Sequence, residues 1–257
     1  MQLAANPFTA ALKARHKQIG LWISLSNNFA AEVVAGAGYD WALIDMEHSP
    51  NDYFSVLGQL QAFAAYPTTA IVRVEWNDAV SVKRLLDLGA PGLLFPVIQS
   101  VEEAQRAVAA TRYPPQGVRG VSGSTRATRF GRVVDYTARI ADETAVLLQL
   151  ETRAAVEQAE AIAAVDGVSG IFFGPADIAA DMGKLGQPMA PEVWALIRPA
   201  AQRLIAKGVP VGTLVLDPVF AAQLLNEGFT FVACGADTAI LSKGSDALLA
   251  QVKGALA

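Results

Sequence analysis

Short apolar runs alternate with Ala-rich amphipathic stretches along almost the whole chain. The apolar runs predict eight β-strands, at residues 19–25, 39–46, 69–75, 92–98, 145–151, 170–174, 209–215 and 229–235. Between them, apolar residues at helical spacing predict helices that include residues 81–88, 101–111, 192–206 and 218–226. Several of the strands are apolar at nearly every position, which is typical of parallel strands buried on both faces.

This alternation of strands and helices predicts a parallel α/β fold. The 257 residues divided among eight strands give about 32 residues per unit, close to the roughly 30 residues of one strand–helix–strand crossover. We therefore predict a (β/α)8 TIM barrel over residues 1–257 as a single domain, with a doubly wound open sheet as the alternative. An N-terminal helix and a C-terminal helix flank the strands, and both are expected at subunit contacts.

Composition and charge exclude several kinds of partner. The chain has 20 basic and 24 acidic side chains without a basic stripe, so we expect no nucleic-acid partner. No apolar run approaches the roughly 18 residues that a membrane span needs, so no membrane contact is expected. The first residues lack the apolar core of a signal peptide, and the single Cys234 cannot form an intrachain disulfide. Together these features predict a cytoplasmic protein.

Polar residues with chemical potential cluster where the predicted strands end. In a TIM barrel the carboxyl ends of the strands and the loops that follow them carry the reactive groups. Side chains alternate along a strand, so Arg73 and Glu75 are expected to point the same way, as are Gln149 and Glu151. The residues at the strand ends or just after them are Asp45, Glu47, His48, Arg73, Glu75, Gln149, Glu151, Gly174, Pro175, Ala176 and Asp177.

The pair Glu151 and Asp177 indicates a metal site. These two carboxylates follow neighbouring strands, and the chain has only two His and one Cys, so a hard divalent cation such as Mg²⁺ or Mn²⁺ suits them. A general acid and base pair, as in glycoside hydrolysis, is the alternative. Arg73, if buried, needs an ion-pair partner or an anionic ligand, and a purely structural ion pair is the alternative for it.

Two further motifs fit such a site. Residues 174–177 predict the start of a short helix with Pro at its first position, whose free N–H groups suit a small carboxylate. An ordinary helix start is the alternative. Asp45 stands three residues before His48 and is expected to orient the imidazole for proton transfer. No lysine falls at a predicted strand end, which disfavours a Schiff base, and the Gly- and Arg-rich stretch at residues 112–124 is expected to form a long loop over the site.

Four segments together resemble a known family. They are residues 38–51 (GYDWALIDMEHSPN), 112–120 (RYPPQGVRG), 149–151 (QLE) and 174–179 (GPADIA), and they resemble the class II pyruvate aldolases of the HpcH/HpaI family. The similarity covers nearly the whole chain, and the motifs occur in the expected order. It implies a metal-dependent carbon–carbon lyase that adds pyruvate, through its enolate, to an aldehyde and cleaves 4-hydroxy-2-oxo acids in reverse.

The resemblance also implies roles for single residues. Glu151 and Asp177 match the metal ligands, and the metal is expected to be Mg²⁺ or Mn²⁺, with Co²⁺, Ni²⁺ and Zn²⁺ as other candidates. The family is typically a hexamer built as a trimer of dimers. Arg73 matches an arginine that contacts the pyruvate oxygen, and His48 with Asp45 matches the catalytic dyad. Gln149 and Trp22 match residues that line the site, and Gly174, Pro175 and Ala176 match the substrate loop. Asp87 matches a residue that reaches a neighbouring subunit's site.

Two departures from the family concern the aldehyde. Met46 stands where a small residue is expected, and the loop at residues 213–218 differs from the best-known members, so both are expected to change the room for the acceptor. Two other functions remain open. An acyl-CoA lyase of the same superfamily would need a basic groove that the sequence lacks, and a non-catalytic metabolite-binding barrel would not need His48 with Asp45.

Overall fold

The computed structural model describes residues 1–256, in which eight parallel strands form a closed barrel in chain order. The barrel closes where the last strand pairs with the first, with Gln18 beside Phe231. The prediction of a TIM barrel is therefore confirmed, and the open sheet is excluded. The strands are β1 (Gln18–Ile23), β2 (Trp41–Asp45), β3 (Thr69–Arg73), β4 (Gly92–Phe95), β5 (Ala145–Leu150), β6 (Gly170–Phe173), β7 (Val211–Leu214) and β8 (Phe231–Ala236).

Within residues 1–256, twelve helices surround or flank the strands. The helices are α1 (Pro7–Ala14), α2 (Asn28–Ala35), α3 (Tyr53–Phe63), α4 (Ala79–Leu88), α5 (Val101–Thr111), α6 (Tyr136–Glu143), α7 (Arg153–Glu157), α8 (Ala159–Ala163), α9 (Pro175–Asp181), α10 (Pro191–Ala206), α11 (Pro218–Asn226) and α12 (Asp237–Ala255). The predictions for α5 and α11 match the observed bounds, and the predictions for α4 and α10 begin slightly late.

Large aromatic side chains fill the barrel interior. Trp41, Phe172 and Phe231 belong to a buried cluster distinct from the shell between strands and helices. Gly20 and Gly212 make room for these rings, because a Cβ atom at either position would collide with Trp41 or Phe231. The interior is therefore a packed core, as side-chain layers in barrels of this size require.

Helix α1 seals the amino-terminal end of the barrel. Phe8 is buried, with its ring centroid 5.7 Å from that of Trp41 and 6.0 Å from that of Phe231. Asn6 caps the helix, and its side-chain amide donates hydrogen bonds to the carbonyls of Pro91 and Glu143 beneath the strands. Because this end of the barrel interior is closed, the interior opens at the carboxyl ends of the strands.

Truncation of the α1 plug is expected to destabilise the barrel strongly. Phe8→Ala removes a fully buried ring and should lower the free energy of unfolding by about 3–5 kcal/mol, because the rigid barrel wall cannot collapse into the cavity. Phe54→Ala is a matched control, since Phe54 is 84% exposed, and should change stability by less than about 0.5 kcal/mol. Urea unfolding followed by circular dichroism measures both. Equal effects of the two changes would contradict the role of the plug.

The long segment between α5 and β5 does not cover the site of its own chain. It joins the end of a helix to the start of a strand, and both lie at the amino-terminal end of the barrel. Its Arg126 donates a hydrogen bond to the carbonyl of Leu88, and the carbonyl of Arg132 accepts one from the Met1 amino group. The prediction that residues 112–124 lie over the site is therefore wrong within one chain.

Helix α12 begins at the carboxyl end of β8 and leaves most of its length exposed. Leu241 and Leu248 are 59% and 64% exposed, so apolar side chains face solvent along the helix. Across residues 1–256, none of the helices has both the length and the apolar composition that crossing a bilayer demands.

Candidate active site

A cavity of about 550 Å³ opens at the carboxyl ends of the strands. Asp45 and Glu151 lie directly behind its wall, hydrogen-bonded to the lining side chains of Trp22, Arg73 and Gln149. The structure thus brings most of the predicted site residues to one place. Those that line the cavity are Trp22, His48, Arg73, Gln149, Gly174, Pro175, Ala176 and Asp177.

Arg73 is held rigidly by two carboxylates at the base of the cavity. Strands β2 and β3 pair in a register that sets Asp45 beside Arg73. The Arg73 Nε and Nη2 atoms donate to the two Asp45 oxygens at 2.8 and 2.6 Å, and Nη1 lies 2.8 Å from Glu47 Oε2. The guanidinium also lies over the Trp22 ring, 5.0 Å from its centroid. Because a guanidinium has five N–H groups, donors remain for an oxygen atom in the cavity.

The two acids around Arg73 differ in their pKa. Burial alone would raise the pKa of Asp45, but the hydrogen bonds and charge of Arg73 outweigh burial and lower it. Burial raises the pKa of Glu47, although Arg73 acts in the opposite direction. Asp45 is therefore a firmly ionised anchor for the guanidinium. Glu47, which the sequence places at the same strand end without indicating a role, completes the ion-pair cluster.

The structure does not join the side chains of Asp45 and His48, so the predicted pairing is corrected. Asp45 ends a strand and points at Arg73, while its Oδ1 atom accepts the backbone N–H groups of Glu47 and His48 at 3.0 and 3.4 Å. The His48 side chain is 67% exposed, and its Nε2 atom lies 3.7 Å from Glu47 Oε1. Asp45 therefore braces the turn that carries His48, and Glu47 is the carboxylate nearest the imidazole.

Glu151 is a buried carboxylate with uncharged hydrogen-bond donors. Its Oε2 atom accepts the Val97 backbone N–H at 2.7 Å, and its Oε1 atom accepts the Gln149 amide at 2.6 Å. Burial is the main cause that raises its pKa to about 7, and the charges of Asp177 and Glu47 add to it. Val97 reaches this position with a φ of 53°, which is unusual for a β-branched residue. No sequence signal marks Val97.

The groups around Glu151 fit a hard divalent cation. Asp177 offers a second carboxylate, and the buried Gln149 Oε1 atom finds no hydrogen-bond partner among residues 1–256. Gly174 leaves this space open, because a Cβ atom there would lie 2.9 Å from the Glu151 Cγ atom. The described part of the chain holds no group of three or more His, Cys, Asp or Glu side chains arranged for a metal. Two carboxylates leave several coordination positions to substrate oxygens or water.

Residues 174–177 open a short helix, as predicted. Helix α9 starts at Pro175, with Gly174 at the N-cap and Asp177 in the first turn. The first N–H groups of a helix have no partner within it, and here the residues of the first turn line the cavity. This position suits a small anion beside the Glu151 carboxylate.

Three residues lie outside the cavity. Glu75 accepts hydrogen bonds from Tyr53 and Ser81, because β3 ends at Arg73 and the strict alternation of side chains ends with it. Its expected orientation with Arg73 is therefore wrong. Met46 is buried in the shell between strands and helices, so the prediction that it shapes the aldehyde pocket is also wrong. Asp87 lies on α4 and accepts a hydrogen bond from the buried Arg119 at 2.9 Å.

The fold and the polar cluster at its open end define a TIM-barrel enzyme. The HpcH/HpaI aldolase/citrate lyase family matches residues 18–243. A pyruvate aldolase of Rhizobium etli is 54% identical over 252 residues, which cover 98% of this chain and 99% of that protein. A 4-hydroxy-2-oxo-heptane-1,7-dioate aldolase of Salmonella dublin is 50% identical over 247 residues, with 96% and 94% covered.

A crystal structure extends the similarity to three dimensions. An HpcH/HpaI aldolase/citrate lyase family protein from Burkholderia cenocepacia J2315 superposes with a TM-score of 0.91 at 39% identity, covering 97% of this chain and all of that one. The chain therefore belongs to the HpcH/HpaI aldolase/citrate lyase family. The predictions of the family and of a carbon–carbon lyase of the aldolase type are confirmed.

Proposed function

We propose that the protein catalyses the reversible, divalent-metal-dependent aldol addition of pyruvate to an aldehyde. In reverse it cleaves 4-hydroxy-2-oxo acids. The observation that carries this proposal is that one cavity offers both a site for a cation and a site for an anionic oxygen. Glu151, with its pKa raised to about 7 and Asp177 nearby, suits a cation, while Arg73 keeps N–H donors for an anionic oxygen. The names of the two relatives agree with it.

The donor half of the reaction uses the base of the cavity. Glu151 and Asp177 would hold a divalent cation, which would supply Lewis acidity to the carbonyl of pyruvate. Arg73 donates hydrogen bonds to the oxygen on which negative charge develops when a methyl proton passes to a water molecule, and its own geometry is fixed before the reaction begins. Asp45 and Glu47 provide this fixation. Gln149 holds the Glu151 carboxylate in place.

The acceptor half takes place nearer the mouth, where His48 lies. We assign to its imidazole the proton that the aldehyde oxygen gains on addition and loses on cleavage, transferred directly or through a water. Glu47 is the nearest carboxylate to stabilise the protonated ring. Asp45 contributes indirectly, because it positions both Arg73 and the turn that carries His48.

The proposal includes a hexamer, a trimer of dimers, in which Asp87 reaches the site of a neighbouring subunit. Two observations support it. Arg119 holds the Asp87 carboxylate, whose side chain is 24% exposed at the surface of α4. The apolar side chains exposed along α12 are of the kind that subunit contacts bury.

Exchange of the pyruvate methyl protons with D₂O tests the function directly. We expect NMR to detect exchange in the presence of Mg²⁺ or Mn²⁺, and thorough chelation to stop it. A panel of aldehydes then tests carbon–carbon bond formation. Exchange that survives chelation would remove the metal from the proposal, and inactivation by borohydride in the presence of pyruvate would indicate a lysine adduct instead.

His48→Ala is expected to slow aldol turnover by about 10²-fold, because general acid–base catalysis contributes at least this much. Exchange of pyruvate protons should change less, since the imidazole acts on the aldehyde oxygen. His16→Ala is the control, because His16 is exposed and follows α1 at the opposite end of the barrel. Steady-state cleavage of a 4-hydroxy-2-oxo acid measures the effect, and full turnover by His48→Ala would refute the assignment.

Metal affinity is expected to depend on pH near neutrality. Above its pKa of about 7 in the metal-free protein, the Glu151 carboxylate is ionised and ready to bind. Below it, a proton competes with the metal, so the dissociation constant should rise about tenfold for each pH unit. Isothermal titration with Mn²⁺ at several pH values checks this. A constant affinity between about pH 5 and pH 8 would show that Glu151 is not a ligand.

A further inference from the structure

We propose that this site selects uncharged, apolar aldehydes and discriminates against aldehydes that carry a carboxylate. The inference deepens the proposed aldolase function and rests on it. This selectivity would distinguish the chain from an aldolase adapted to a 4-hydroxy-2-oxo dioate, because cleavage of a dioate releases an aldehyde that carries a carboxylate. The carbon chain of the acceptor extends from the reacting atoms towards the cavity mouth, so the residues of the mouth decide the selectivity.

The wall between the base and the mouth is apolar. Phe172 and Trp22 lie at its base, with ring centroids 5.6 Å apart. Above them the loop before α10 contributes Met189, and the end of β7 with its following loop contributes Leu214 and Leu216. Met189 and Leu216 are 46% and 55% exposed without a ligand. An aldehyde chain that covers them removes apolar surface from water, which is favourable.

The charges around the cavity disfavour a second anion. Among its described lining residues, Arg73 is the single Lys or Arg, and Asp45 and Glu47 already neutralise it. Asp217 lies at the mouth, where its carboxylate caps α11. A carboxylate on the acceptor would therefore lose water without gaining a Lys or Arg partner, and it would approach an acidic side chain.

Each methylene that the apolar wall buries should raise kcat/KM about fourfold, the rate equivalent of the transfer of one CH₂ group from water. Butanal and succinate semialdehyde have the same number of carbon atoms and differ in the terminal carboxylate. We therefore expect the native protein, with pyruvate and Mg²⁺, to favour butanal over succinate semialdehyde by at least about tenfold in kcat/KM.

Leu216→Arg tests the wall by placing a guanidinium at the mouth. We expect the ratio of kcat/KM for butanal to that for succinate semialdehyde to fall by about tenfold or more, since the carboxylate gains a charged hydrogen-bond partner. Val219→Arg is the matched control. It adds the same charge at a position that is 77% exposed on α11 and outside the cavity lining, so the ratio should not change. Met189→Lys provides a second variant if Leu216→Arg does not fold.

Exchange of pyruvate protons with D₂O is measured for every variant, because it needs no aldehyde. If exchange occurs and the native protein uses succinate semialdehyde as well as butanal, the selectivity proposal is overturned and the aldolase proposal stands. The same holds if native selectivity is present but neither Leu216→Arg nor Met189→Lys alters it. Absence of exchange in the native protein would refute the aldolase function itself.

Discussion

Glu151→Gln is expected to lower aldol turnover by about 10³- to 10⁴-fold, because the Lewis acidity lost with the metal is worth several kcal/mol in the transition state. The amide is isosteric with the carboxylate and therefore fits the same space between Gly174 and Gln149. It lacks the negative charge that binds a divalent cation. Binding of Mn²⁺ and exchange of pyruvate protons should therefore be lost together.

The stability of this variant distinguishes a functional loss from unfolding. Burial raises the pKa of Glu151 to about 7. In the metal-free protein the ionised carboxylate therefore opposes folding increasingly as the pH rises from the pKa of this carboxyl group in the unfolded chain through about 7. The neutral amide avoids this cost. Above about pH 7 the metal-free variant should unfold at the same temperature as the native protein or higher. Glu157→Gln is the control, because Glu157 is exposed on α7, and it should leave metal binding and turnover unchanged. Native Mn²⁺ affinity in Glu151→Gln would contradict the assignment of Glu151 as a metal ligand.

Arg73→Lys is expected to reduce kcat by about 10²- to 10³-fold, the usual effect of losing one preorganised donor to a developing negative charge. The lysine keeps a positive charge near Asp45 and Glu47. It cannot reproduce the forked contacts of Nε and Nη2 with Asp45, nor present further N–H groups in a fixed plane. Because the donors matter most in the transition state, kcat should fall more than KM rises.

Arg73→Ala separates the structural contribution of this residue from its role in the reaction. It leaves Asp45 and Glu47 in the protein without their cation and should cost about 3–5 kcal/mol of stability. Arg84→Ala is the control, because Arg84 is exposed and stacks on Tyr53 away from the cavity. Thermal unfolding and steady-state kinetics measure the three variants. If Arg73→Lys retains native kcat, the guanidinium is a structural group and does not stabilise the reacting oxygen.

The barrel could be predicted from sequence because its strands are short, apolar on both faces and regularly spaced. The residues at which the strands end could not be predicted as closely. Residues such as Glu75 continue the apolar or alternating pattern for a few positions after the hydrogen-bonded ladder stops at Arg73. The direction of a side chain beyond a strand depends on the loop, which local periodicity does not describe. Gln149 and Glu151 still meet although β5 ends at Leu150, whereas Glu75 does not join Arg73.

The residue types of the site were visible in the sequence, but their partners were not. Closeness in the chain suggested Asp45 for His48, yet the register of β2 with β3 sets Asp45 against Arg73. That register depends on strand pairing between distant segments. Val97 contributes a backbone N–H in a left-handed conformation. Every residue except proline has a backbone N–H, so the residue type does not indicate such a donor. Glu47 is visible in the sequence between Asp45 and His48 at the same strand end, but its ion pair with Arg73 is not.

The position of Trp22 gives the protein an intrinsic optical probe. Of the four tryptophans in the chain, Trp22 is the one that lines the cavity, where its Nε1–H donates to Asp45 and its ring stacks beneath Arg73. A ligand that rearranges the charges around Arg73 changes the electric field at this indole. Its emission should therefore report occupancy of the site in real time, without a label and before any carbon–carbon bond forms or breaks.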